Sequence, residues 1–128
     1  MNPQRTNKKR INKEKTNKER ANKIIACIDS IPKGKVASYG QIADLAGITR
    51  GHRVVAKFLR EQELIPDLPW HRVIRADGKS GFPSDSQMFV KQMTRLKSEG
   101  VLSRNNKIDM KTYAWQPDLD FILFHPDL

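Results

Sequence analysis

The sequence predicts a mainly α fold, a winged helix-turn-helix-like domain with a short C-terminal β-hairpin as its wing. Three observations carry this. Apolar residues recur at steps of three and four in Ile24–Ile31, Ile42–Ala46 and Val54–Leu59. The last two stretches are joined by a short turn containing Gly47. Polar Arg104-Asn105-Asn106-Lys107 is flanked by Val101-Leu102 and by Ile108 to Trp115, a hairpin pattern.

Taken in order, residues 1–20 repeat Asn-Lys and contain almost nothing apolar, so they are expected to form a disordered basic tail or a fraying helix start. The tail reads equally as an electrostatic arm for DNA or as a solvated extension. The folded domain is expected over 21–128. Its first helix spans Ala21–Ile31 and is ended by Pro32 and Gly34. Val36-Ala37 is a short extended piece. Ser38 is expected to cap a helix from Tyr39, with Gln41 completing a capping box and Gly47 closing it. A second helix is expected over His52–Gln62, with Val54, Val55, Phe58 and Leu59 inward and Arg53, Lys57 and Arg60 outward. Pro66 and Pro69 bracket a loop that leads into Trp70-His71-Arg72-Val73-Ile74. Gly81-Phe82-Pro83-Ser84 excludes regular helix. Gln87–Glu99 is amphipathic, with Phe89, Val90, Met93 and Leu96 on one face and Gly100 as its stop. Phe121–Phe124 is expected to cover a remaining apolar face.

Composition bounds the function. The net charge is +10, but residues 1–23 carry nine Lys/Arg and two Glu, leaving the remainder only mildly basic. No run of eighteen apolar residues exists, and no apolar stretch follows the charged N-terminus, so neither a membrane span nor a secretory signal is expected. Cys27 is the only cysteine and lies in apolar Ile24–Ile28, which reads as a buried structural thiol. His52, His71 and His125 are scattered, so no metal or cofactor is expected. A reducing, cytoplasmic and nucleoid-associated location is expected.

Three segments together resemble the O6-alkylguanine-DNA alkyltransferase family. Ile31 to Ala43 resembles the segment that opens its DNA-binding domain, Arg53-Val54-Val55-Ala56 the start of its recognition helix, and Pro69-Trp70-His71-Arg72-Val73-Ile74 its Pro-Cys-His-Arg-Val active-site motif. The Tyr39-to-Arg53 and Arg53-to-Trp70 spacings match as well. The resemblance covers roughly residues 21–100, and Tyr113 to Pro117 is more similar to the alkyltransferase-like branch than to the enzymes. In the enzymes an alkyl group moves from guanine O6 to a cysteine thiolate. Trp70 stands at that position, and an indole offers only an N–H donor. The resemblance therefore implies a binder that performs no alkyl transfer.

The resemblance also implies roles for individual residues, motif by motif. Arg53 would enter the base stack from the recognition helix, which in this family lies in the minor groove, while Tyr39 would press on the backbone beside the lesion. Trp70, with Pro69 and His71, would line the pocket and take the alkyl group. Gly81, Pro83 and Ser84 would form the opposite wall, where Pro83 and Asp85 depart from the enzymes' tyrosine and glycine. Gln62 departs from their asparagine. Ser38, Lys57 and Arg60 would meet the DNA backbone. Arg72 would anchor the loop through backbone carbonyls, and Glu99 would pair with His71 to support the pocket. The implied partner is double-stranded DNA containing O6-alkylguanine, bound by a monomer that inhibits or substitutes for alkyltransferase repair and passes the lesion to nucleotide excision repair proteins. A winged-helix transcription regulator, a protein-binding module with a basic tail, and a methyltransferase in name only remain as other readings.

Overall fold

The computed structural model describes residues 17–61, 67–118 and 122. Helix α1 covers 17–29. It therefore begins within the segment expected to be a tail, although residues 17–20 remain exposed. Strand β1 (Ala37–Ser38) leads directly into α2 (Tyr39–Leu45), and α3 is His52–Glu61. A 3-10 turn at Trp70–Arg72 runs into β2 (Val73–Ile74), followed by α4 (Gln87–Ser98). Strands β3 (Ser103–Arg104) and β4 (Lys107–Ile108) form the hairpin, and α5 (Met110–Tyr113) comes next. The expectations for residues 1–16, Gln62, Pro66, Phe121 and Leu123-Phe124 lie outside the described residues. Ile122 is half exposed.

Two apolar clusters hold these elements together. One gathers Ile24, Cys27, Ile28 and Ile31 from α1 and its end, Ile42 and Ala43 from α2, Val55 and Phe58 from α3, and Trp115. The other gathers Val36, Ile74, Leu96, Val101 and Ile108 beneath α4 and the hairpin. The link between them is a parallel pairing of β1 with β2, Ala37 opposite Val73 and Ser38 opposite Ile74. Side chains alternate faces along a strand. Ala37 and Val73 accordingly enter the first cluster, and Val36 and Ile74 the second. The pairing is only two residues long, and the segment 113–115 binds the preceding residue, Val36, through both of its backbone groups. The Val36 N–H donates to the Tyr113 carbonyl (2.9 Å), and the Trp115 N–H donates to the Val36 carbonyl (2.7 Å).

Several expectations are corrected. Val54 and Val90, expected inward, are 40% and 59% exposed, because α3 buries Val55 and Phe58 while α4 buries Gln92 and Leu96. Ile108 to Trp115 is not one strand, because Asp109 caps a helical turn by accepting from the Lys111 N–H and the Thr112 hydroxyl. The hairpin itself turns through Asn105 and Asn106, both at positive φ (54° and 59°), which matches the right-handed twist of paired strands. The capping box is half formed. Ser38 Oγ accepts from the Gln41 N–H at 3.1 Å, but the Gln41 amide donates to the Trp115 carbonyl at 2.8 Å.

Gly78 seats the hairpin. At φ +86°, a Cβ there would lie 2.2 Å from the Ile108 carbonyl oxygen, and the Ile108 N–H donates to the Gly78 carbonyl at 2.9 Å.

Candidate nucleic-acid interface

The Pro69 to Arg72 segment is held from below by buried charge. Arg72 Nε donates to both Glu99 carboxylate oxygens (3.1 and 3.0 Å), and its Nη2 lies 2.8 Å from Oε2. Its Nη1 donates to the Ile31 carbonyl at 2.8 Å. One guanidinium thus ties the 3-10 turn to the end of α4 and the chain following α1. His71 Nε2 hydrogen-bonds Glu99 Oε1, and Nδ1 is buried without a partner among the described residues. Burial pushes the His71 pKa down, aided by the charges of Arg72 and Arg95, and the bond and charge of Glu99 do not offset this. Burial pushes Glu99 up, but hydrogen bonds and charge from Arg72 and His71 outweigh it and hold the carboxyl below its ordinary range. The pair is therefore a neutral imidazole donating to a carboxylate whose charge Arg72 balances.

Gln92 fastens the same segment from α4. It is fully buried, and its amide donates to the His71 (3.3 Å) and Val73 (2.9 Å) carbonyls. Its oxygen accepts from the Ser80 hydroxyl, which in turn accepts from the Phe82 N–H at 3.1 Å. Phe82 then meets Trp70 edge-on, with ring centroids 5.7 Å apart at 87°. The His71 ring is also edge-on to Trp70 at 6.2 Å, and the Arg95 guanidinium lies 5.2 Å from the indole centroid. Trp70 is half-buried in an aromatic corner roofed by a cation.

Tyr39 opens α2 beside this corner. A Cβ at Gly81 would fall 2.1 Å from its Oη, so the hydroxyl packs directly on the glycine backbone. Burial raises the Tyr39 pKa, opposed by the nearby charges of Arg60 and Arg75. Arg53, Lys57 and Arg60 are exposed on α3 at spacings that put them on one face. Lys57 also lies 3.9 Å from Glu61.

The fold therefore brings Trp70, His71, Arg72 and Glu99 into one network and seats Tyr39 on Gly81. Pro69 is buried at the head of the turn, whereas Pro83 and Ser84 are exposed. The ring contact from that loop comes from Phe82 instead. Ser38, expected to meet the DNA backbone, uses its Oγ as the acceptor that caps α2.

Sequence reasoning missed Phe82, Gln92, Arg95 and Ser80. Gln92 left one legible signal, a polar residue on the apolar stripe of Phe89, Met93 and Leu96. Arg95 left none. Cys27 is fully buried on α1, and burial pushes its thiol up to about 12, far from a reactive thiolate. Among the described residues no three His, Cys, Asp or Glu side chains group to hold a metal, and no helix is long and apolar enough to cross a membrane.

Residues 19–101 match the family described as the DNA-binding domain of 6-O-methylguanine DNA methyltransferase. The chain belongs to that family, in its alkyltransferase-like branch. Among relatives, a DNA base-flipping protein of Vibrio parahaemolyticus is 40% identical over 96 residues, covering 74% of this chain and 94% of its own. Alkyltransferase-like protein 1 of Schizosaccharomyces pombe is 31% identical over 100 residues, 74% of this chain and 93% of that one. The fold superposes on S. pombe Atl1 in complex with damaged DNA containing O6-carboxymethylguanine with a TM-score of 0.72 and 30% identity, covering 78% of this chain and 97% of that chain.

Proposed function

We propose that this protein is a non-enzymatic sensor of O6-alkylguanine in duplex DNA. It flips the lesion into the corner beneath Trp70 and presents it, as a monomer, to nucleotide excision repair. While bound it inhibits or substitutes for alkyltransferase repair. The observation that carries the reading is the combination at the motif itself. The His71–Glu99–Arg72 support is in place, an indole stands where the family resemblance puts the acceptor cysteine, and the only thiol is buried on α1. Rotating the base out costs roughly a few kcal/mol, less for a lesion that pairs badly. Arg53 fills the vacated stack from the minor groove and Tyr39 turns the backbone. Lys57 and Arg60 neutralise phosphates, which makes affinity fall with salt. The Trp70 face gives the alkyl group an apolar seat worth about 0.8 kcal/mol per methylene. Pro69, Gly81, Pro83 and Ser84 complete the walls.

The test incubates the protein with an O6-methylguanine duplex and with its unmodified counterpart, measuring affinity and intact mass together. Lesion-selective binding without a methyl mass gain is expected. A methyl adduct on the protein refutes the sensor reading, and equal affinity for both duplexes reduces the protein to a general DNA-binding module.

A further inference from the structure

We infer that Arg95 makes the lesion pocket selective for O6 substituents that end in an anionic group, above all a carboxylate. The inference rests on the proposed seating of the substituent at Trp70. Three ion pairs and the His71–Glu99 hydrogen bond occur among the described residues, and none includes Arg95. The nearby acid Glu99 is engaged by Arg72 and His71. Arg95 is nevertheless held over the Trp70 ring, 5.2 Å from its centroid, by attraction between a cation and the indole face. A guanidinium parked on an aromatic wall, with its N–H donors uncommitted to an acid, is an anion receptor. Its planar fork accepts a carboxylate through two parallel hydrogen bonds.

A substituent leaving guanine O6 along the indole passes under this guanidinium. A methyl group gains only the apolar contact. A carboxymethyl group carries its charge to Arg95, whereas the amide of the same size and shape brings no charge. Because Arg95 is exposed, the gain is that of a solvent-screened pair, about two- to fivefold in affinity. An adduct ending in an ammonium group is repelled.

The test compares four duplexes, unmodified or carrying O6-methylguanine, O6-carboxymethylguanine or O6-carbamoylmethylguanine, against the wild type, Arg95→Gln and Arg95→Lys. The wild type is expected to favour the carboxylate over the amide about two- to fivefold. Arg95→Gln should erase that ratio, and Arg95→Lys should keep part of it. A carboxylate-to-amide ratio of one in the wild type overturns the proposal without recourse to any variant. So does an equal loss by Arg95→Gln across all four duplexes with a shallower salt dependence, which makes Arg95 a phosphate contact. Failure of the sensor reading looks different, as equal wild-type affinity for O6-methylguanine and unmodified DNA.

Discussion

Gln92 sits at zero exposure with every polar atom of its amide used, binding two carbonyls of the Trp70 segment and the hydroxyl of Ser80. Replacing it by leucine keeps the volume but removes the donor to two carbonyls and the acceptor for the Ser80 hydroxyl proton. Gln92→Leu is expected to cost about 3 kcal/mol in urea unfolding, at the upper end for a single buried polar group. Gly81 tests a different property. Its backbone touches the Tyr39 hydroxyl, so Gly81→Ala must displace a ring end that can swing toward solvent. The variant should unfold within about 1 kcal/mol of the wild type and lose roughly tenfold in affinity for lesion duplexes in a titration. At this scale the sequence was informative where a motif marks a position, as with Tyr39 and Trp70, which the fold brings to the Gly81–Phe82 loop. Phe82 and Arg95 meet Trp70 only because α4 and the loop before it cross the 3-10 turn, and no local pattern encodes a crossing.

The helices were legible because a helix is a local object whose apolar period and caps lie in one stretch of chain. The hairpin's turn was legible for the same reason. The helical turn after the hairpin was not, because it depends on the Asp109 carboxylate accepting from Lys111 and Thr112, and no apolar period marks four residues. Asp109→Ala is expected to cost about 1 kcal/mol of stability by chemical denaturation, the usual loss for an N-cap, with lesion affinity unchanged. The parallel β1–β2 pairing escaped detection altogether. Its strands are two residues each and far apart in sequence, so they carry no local signal, and the alternation of Val36 with Ala37 and of Val73 with Ile74 between two clusters is visible only once the chain has folded.

For the whole molecule, the buried His71–Glu99–Arg72 group couples stability to acidity. His71 is held below its ordinary value of 6.5 when folded, so below that pH the unfolded chain binds the proton first. The stabilisation is complete above about 6.5 and is lost as pH falls toward the folded value. Glu99 is likewise held below its ordinary 4.5 and adds a second loss beneath it. Melting temperature should therefore fall on acidification from pH 7 to 4, and His71→Asn should flatten the upper part of that decline.

The short β1–β2 pairing has one more consequence. It joins the residue before Tyr39 to the end of the Trp70 turn, so the residue proposed to push on DNA and the corner proposed to receive the base are neighbours on a single frame. No domain has to close to bring them together. The pace of lesion capture then belongs to the DNA, to how often a weakly paired guanine swings open on its own. Lesions that open most readily should be captured fastest, even when they are not held longest.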